Sequence, residues 1–576
     1  MKIKHLFGLA VIAAMTASCS SNEDLGTAGS GTNEAGVGYA TFTINLPSVG
    51  GTRAVDAGGG AEVAPGTEDE YKVANATALI FQKYGADEGS YKFVESVDLP
   101  DAKLAWDNDT EDGVTKSKKL VAKLTNVDTK NTYGVLVLLN NNITGGGVKI
   151  TLPTAGLSYK EWNDNILSPN LNELAKTGEF YMANAPLCET GKVTTLVTID
   201  KNKIYATEAE AKTKTSADVY VERGVAKMSV VDPTTKTVKD KATSTDTKSE
   251  VTFSNWALDI TNQKTYAVHN IDGLSKDFPA IWTTDRFTGI NNRVYWGKDP
   301  NYSNELLKKT DTDGDDLRDK EFNFIKATSE INKAFTDPVY CLENTFNLAN
   351  MYQGQTTRVI FKATYTPKDN AGNPLADTDG TFYTIGNMKT ILKKADLETA
   401  VNAAATSVLP GCVVEYANLE KEGSHVITLE DIKEKATSTT HLDGTTTYGP
   451  SSKTGNDIVT EINTKLGLKA GRPEEMVGIN TYFEGATYYI ARVKHFGSLT
   501  PWKSGESYGD NNATYLGRYG MLRNNWYELQ VGNVYGPGYP GVPPVDPNQP
   551  DDENEKYLSV SVKILSWAKR SDKIDL

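Results

Sequence analysis

The chain has 576 residues, 39% of them hydrophobic and 9% aromatic, with a formal net charge of −14. That length is too great for one hydrophobic core and calls for two large domains. The charge argues against nucleic acid or an anionic membrane as partner. Past the N-terminal segment no apolar run approaches the ~20 residues of a membrane helix.

Lys2 and Lys4 precede a short apolar run, Leu6 to Ala14, and Thr16-Ala-Ser-Cys19 follows. This is the pattern of a secretion signal cleaved before Cys19, whose thiol then takes a lipid, although Thr16 stands where Leu is usual. After a Gly/Ser/Thr-rich leader, Ala40-Thr-Phe-Thr-Ile-Asn-Leu46 places Phe42, Ile44 and Leu46 on one face of a half-buried strand. Pro47 and Gly50-Gly51 end it. Arg53-Ala54 follows in a loose, Gly-rich stretch, where the arginine reads either as an ordinary loop residue or as bait for a trypsin-like protease.

Further strands are expected at Ala76–Phe81, Tyr133–Leu139, Lys192–Ile199, Asp218–Val231, Val251–Ile260, Thr357–Tyr365 and Thr487–Phe496. Short helices are expected at Ser158–Leu167, Ala327–Phe335, Asp396–Ser407 and Asp457–Leu466. Asp232 to Ser249 is polar and reads as a linker or an exposed hairpin, which sets the expected domains at 54–235 and 236–535. The fold class is all-β with short helices, built as β-sandwiches.

Gly536 to Lys556 holds six prolines, with Asp551, Asp552, Glu553 and Glu555 among its acidic residues, and reads as an extended tether, with a reach of up to roughly 65 Å. Residues 557–576 then carry a strand in which Leu558, Val560, Val562 and Ile564 alternate with Ser559, Ser561 and Lys563. Leu565 and Trp567 continue the run in the opposite phase, as a bulge would produce. A hydrophobic strand on a long arm suggests a polymer subunit.

No catalytic constellation emerges, so an enzyme is not expected. The five histidines have no metal-ligand spacing. Gly505-Glu-Ser507-Tyr-Gly509 matches a nucleophile elbow but lacks the strand and helix that motif needs. Asp311, Asp313 and Asp315 form the one candidate Ca²⁺ loop, against which Asp316 stands where Gly is wanted; a solvated acidic loop is the alternative. No other cofactor is expected. Cys188 and Cys341 sit beside apolar residues and read as buried free thiols, with a disulfide among Cys188, Cys341 and Cys412 left open.

Four segments carry a resemblance. They are Tyr220-Val-Glu-Arg-Gly-Val-Ala-Lys-Met228, Val339-Tyr-Cys-Leu-Glu-Asn-Thr345, Gly520-Met-Leu-Arg-Asn-Asn-Trp-Tyr-Glu-Leu-Gln-Val531 and Leu558-Ser-Val-Ser-Val-Lys-Ile-Leu-Ser-Trp567. In this order, between a lipobox and a Pro-rich tether, they resemble the Bacteroidales fimbrillin family, and within it the shaft subunits of minor fimbriae. The resemblance implies two tandem transthyretin-like β-sandwiches and a precursor anchored in the outer membrane by lipid on Cys19. It implies an arginine-specific protease that cuts between Arg53 and Ala54 and removes the strand bearing Phe42, Ile44 and Leu46. The strand from Leu558 to Trp567 of another copy would fill the groove, with Leu558, Val560, Val562, Ile564, Leu565 and Trp567 as its apolar contacts. Implied partners are copies of the same chain in a fibre, with anchor and tip subunits. A fimbrial tip adhesin, with Trp502 and Trp526 exposed for ligand, and a monomeric glycan-binding surface lipoprotein are the alternatives.

Overall fold

The computed structural model describes residues 31–46, 66–545, 551 and 558–566, less 104–106, 109–115, 190–191, 280–281, 283–293, 295, 303–316, 346–350, 387–389, 450–451, 472–476, 497–498 and 500–515. Sheets dominate it, as an all-β chain requires.

Nine strands form the first sheet: β1 (Gly38–Asn45), β2 (Ala76–Gln82), β3 (Lys92–Asp98), β4 (Asp107–Asn108), β5 (Lys116–Leu124), β6 (Tyr133–Leu139), β7 (Met182–Asn184), β8 (Val197–Ile199) and β9 (Ala217–Arg223). Their order is β3-β2-β6-β7-β9-β1-β5-β4, with β8 beside β6. Every residue of β6 is buried, which is why its sequence is an unbroken apolar run rather than an alternation. The first half of β9 pairs with β1 and its last three residues pair with β7. That strand thus passes from one half of the sheet to the other, and both halves close on one core that includes Phe42, Phe81, Leu136 and Val219.

The second sheet contains β10 (Ala226–Val230), β11 (Thr235–Lys239), β12 (Asp246–Asp259), β13 (Val339–Cys341), β14 (Arg358–Thr366), β18 (Ala486–Arg492), β19 (Asn525–Val534) and β20 (Leu558–Ser566). Its order is β13-β10-β19-β11-β12-β14-β18, with β20 beside β19. Trp256, Phe361, Tyr489, Tyr527 and Leu529 fill its core. Between β14 and β18 an insertion builds a separate small layer. Strands β15 (Phe382–Ile385), β16 (Gly423–His425) and β17 (Ile479–Tyr482) share a core with helices α2 (Lys394–Val408) and α3 (Gly455–Lys465).

Several expected elements come out differently, each for a local reason. The strand expected over Lys192–Ile199 is two strands, because the N–H groups of Thr195 and Leu196 both donate to the Glu88 carboxylate instead of a ladder. The strand expected over Asp218–Val231 breaks at Gly224, where a Cβ would stand 2.9 Å from the Tyr181 ring. The sheets therefore change over at Gly224-Val225, ahead of the expected break at 235/236. Asp232 to Ser249 is largely the β11–β12 hairpin. Ala327–Phe335 has only a 3-10 turn at Thr328–Glu330, since Lys333 pairs through its backbone with Trp256. Helix α1 covers Tyr159–Asn163 alone, started by the reciprocal Ser158–Glu161 cap.

The two sheets are joined by buried ion pairs on either side of the Gly224 break. The Glu70 carboxylate, in the first unit, lies 2.6 Å from Lys227 Nζ and accepts from Tyr340 Oη at 2.7 Å. Arg223 Nε donates to the Glu70 carbonyl, and its N–H and Nη1 donate to Asn524 Oδ1. Beside them Glu222 Oε1 is 2.8 Å from His269 Nδ1, and Arg523 Nε donates to Glu343 at 3.0 Å. Burial alone would raise the Glu70 carboxyl, but the hydrogen bond and charge of Lys227, with Tyr340, hold it below its ordinary value. Burial draws the Lys227 ammonium down as well, against the pull of Glu70, so the pair keeps its charges at a desolvation cost.

Glu70→Gln or Lys227→Met alone should therefore lower stability by about 3–5 kcal/mol in denaturant titration, and Glu70→Leu with Lys227→Met should recover much of the loss. A carboxyl held below 4.5 contributes stability that is present above that pH and lost as pH falls through its lower folded value. The difference between the parent and Glu70→Gln should accordingly shrink on acidification below about pH 4.

Candidate functional site

β1 is an interior strand. It pairs antiparallel with β5 over eight residues, from Gly38 opposite Leu124 to Asn45 opposite Ser117. On its other edge it runs parallel to β9, with Phe42, Thr43, Ile44 and Asn45 opposite Ala217 to Tyr220. Ahead of β9, Tyr39 exchanges both backbone hydrogen bonds with Tyr205, and Ser216 N donates to the Thr41 carbonyl at 2.7 Å. Ala40, Phe42, Ile44 and Leu46 point into the core and are at most 1% exposed. The three larger side chains contribute on the order of 5–9 kcal/mol by burial. Thr41 Oγ1 donates to the Ala211 carbonyl, so the opposite face is bonded too. Withdrawing this strand would leave β5 and β9 with facing unpaired edges and an apolar trough between them.

The last strand sits on the second unit. β20 runs antiparallel to β19, with Val560, Val562 and Ile564 opposite the buried Val531, Leu529 and Tyr527. The bulge expected near Leu565 is not there; the register shift falls between Val531 and Val534, and pairing runs on from Ile564 to Ser566. Leu565 is out of phase because its partner is Trp526, which packs against the core of the first unit. Trp526 also receives Lys227 Nζ over its ring at 3.7 Å and donates from Nε1 to Ser229 Oγ, which accounts for it as packing rather than an exposed platform.

The tether expected to hang free is bound along its first half. Tyr488 and Tyr539 exchange both backbone hydrogen bonds, and the hydroxyls of Tyr489 and Tyr482 donate to the carbonyls of Gly536 and Gly538. Composition reported the lack of self-structure and missed this docking, which depends on partners far away in sequence.

Cys19, Arg53, Ala54, Asp311, Asp313, Asp315, Trp502, the Gly505–Gly509 motif and Trp567 lie outside the described residues. Cys188, Cys341 and Cys412 are buried free thiols, and burial pushes Cys341 up to about 12. A cavity of about 310 Å³ lies between the units, lined by Tyr159, Lys160, Asp164, Asp272 and Trp282 among others. Of its charged groups, Lys160 pairs with Asp164 and Asp272, the Asn270 amide donates to Asp164, and Glu88 accepts from the backbone of Thr195 and Leu196.

Residues 480–573 match the family model for the C-terminal part of fimbrillin, described as major fimbrial subunit protein type IV. The match takes in β18, β19, the tether and β20. No curated protein matches the chain. Among solved structures, a fimbrilin from Porphyromonas gingivalis W83 is 13% identical with a TM-score of 0.35, over 92% of this chain and 98% of that one. A fimbrial assembly protein from Parabacteroides distasonis ATCC 8503 is 12% identical with a TM-score of 0.25, over 61% of this chain and 92% of that one. Likenesses so distant add no weight to the family match. By that match the C-terminal region of the chain, residues 480–573, is similar to that of a major fimbrial subunit.

Proposed function

We propose that the chain is a shaft subunit of a surface fimbria that polymerises by strand exchange and so supports adhesion. Its precursor is held at the outer membrane by lipid on Cys19. An arginine-specific protease cuts between Arg53 and Ala54. β1, carrying Phe42, Ile44 and Leu46, then leaves with the leader, and the strand Leu558 to Trp567 of another copy takes its place. The two sheets are read as two tandem transthyretin-like sandwiches, and anchor and tip subunits complete the fibre.

The observation that carries this reading is the equivalence of the two strands. β1 fills an interior slot with apolar residues at alternate positions, and the last strand presents the same alternation at Leu558, Val560, Val562 and Ile564. An edge left open by strand loss is a template for strand addition. While uncut, β1 competes for the slot at very high effective concentration, so the leader inhibits its own subunit. β20 resting on β19 is the storage position of the donor, which must leave it during assembly.

Treating purified precursor with an arginine-specific protease should yield SDS-resistant ladders, and Arg53→Ala should abolish them. Deleting residues 557–576 should leave folded monomers; ladders that persist would sink strand exchange altogether.

Phe42→Ala separates this from a strand that stays in place. It should destabilise the precursor by about 3–5 kcal/mol and leave the assembled polymer unchanged, because β1 is gone from it. Equal losses in both, read by thermal denaturation, would show that β1 is retained.

A further inference from the structure

The tether is a strap, and its attachments locate the face that meets the next subunit. Arg358 is 2% exposed, and its Nε donates to Asp259 Oδ2 at 2.8 Å. The rest of its fork takes the strap: Nη2 donates to the Pro543 carbonyl at 2.6 Å and Nη1 to the Pro544 carbonyl at 3.2 Å. Prolines have no N–H to offer a ladder, so a buried guanidinium that accepts nothing is the matching partner for their carbonyls. Gly538 sits so close to β18 that a Cβ would stand 2.1 Å from the Tyr488 carbonyl oxygen, and its N–H donates to Thr487 Oγ1. Tyr539 and Val542 pack on the Ile360 and Tyr488 cluster, and Val545 joins the cluster around Trp296 and Tyr302. Farther on, Asp551 is 1% exposed, and its N–H donates to the Met351 carbonyl at 3.1 Å.

We propose that this strap stays bound to its own subunit when the terminal strand leaves, so that the arm begins after Asp551 and not at Gly536. The proposal rests on the strand-exchange reading above. Releasing the strap would strip a buried guanidinium of two acceptors and expose the edge of β18. The seven Cα-to-Cα steps from Asp551 to Leu558 then span at most about 25 Å, against roughly 65 Å for the whole tether. The interacting surface follows from that length. A second copy of this chain must present its β5–β9 slot within that distance of Asp551, against the end of the second sandwich that bears Met351 and residues 352–356.

Two measurements on the full-length precursor test this, both read as ladders after cleavage by an arginine-specific protease. The first locks the strap. A Cβ on Gly354 would lie 3.3 Å from Val545 Cγ1 but would collide with the end of the flexible Arg318 side chain, which must swing aside; with that shift Gly354→Cys and Val545→Cys can form a cystine, and the native described thiols are buried out of its way. Oxidised and reduced forms should polymerise alike. Ladders from the reduced form alone would mean that the strap must detach, and the proposal would be overturned.

The second shortens the arm by deleting residues 553–556. Ladders should be lost while the precursor keeps the parent's hydrogen-exchange protection at Tyr488 and Tyr539. Undiminished ladders with the parent's axial repeat, measured by electron microscopy, would refute the short arm. Failure of strand exchange itself is told apart by the 557–576 deletion, whose ladders would persist whatever the strap does.

Discussion

The first sandwich cannot be whole without a strand in the place of β1. Both edges of that place are occupied, by β5 along eight residues and by β9 along four, and the floor is lined by the buried side chains that Phe42, Ile44 and Leu46 meet. Backbone groups so enclosed need partners, since an unpaired buried donor or acceptor costs about as much as a lost hydrogen bond. The sheet fixes what an occupant must be: extended, about eight residues long, and apolar at alternate positions. It does not fix which chain supplies it. That indifference is what the proposed exchange of a covalently attached strand for one from elsewhere requires.

A slot of this kind places a demand on the rest of the molecule. Under the proposed exchange, the first unit must keep its shape while one interior strand is replaced. The joint between the units is suited to that, because it bypasses β1. Glu70, Glu222 and Arg223 reach across to Lys227, Tyr340, His269 and Asn524 through buried pairs, none of which involves residues 38–46. Hydrogen-bonded charges inside a protein are costly to break singly, and so they define one arrangement of the two units. Three of the segments that carry the family resemblance meet here. Tyr220–Met228 supplies Glu222, Arg223 and Lys227, Val339–Thr345 supplies Tyr340 and Glu343, and Gly520–Val531 supplies Arg523, Asn524 and Trp526.

Much of the fold was legible in the sequence where a local pattern has a single cause. β1, β14 and β20 follow apolar alternation, β2 and β6 follow unbroken apolar runs, and α2 and α3 follow apolar periodicity at helical spacing within a few residues. The failures have long-range causes. Nothing near Thr195 announces that Glu88 will claim its N–H, and nothing near Gly224 announces the Tyr181 ring. The motifs at 220–228, 339–345 and 520–531 were visible as separate segments, but their meaning as one joint appears only when the sheets bring them together. The insertion between β14 and β18 escaped notice as a unit, because its two helices and three short strands are individually ordinary. What they share is a core of Leu397, Val401, Ile458 and Ile479, and a shared core leaves no mark in local sequence.

The strap shows the same limit from the opposite side. Proline-rich composition gives Gly536–Lys556 no means to pack a core of its own. It says nothing about whether folded neighbours will hold it. A polyproline-like segment has carbonyls to spare and no donors at its prolines, so it binds wherever a buried cation or tyrosine hydroxyls face an edge. Arg358, Tyr482 and Tyr489 are such groups, and they lie beside β18, which would otherwise end the sheet with an open edge. Covering that edge removes a competing template for strand addition. In the proposed assembly, the same contacts that shorten the arm would therefore also direct it. With β18 closed by the strap, the strand arriving in that proposed exchange would be left with the slot between β5 and β9 as the better place to pair.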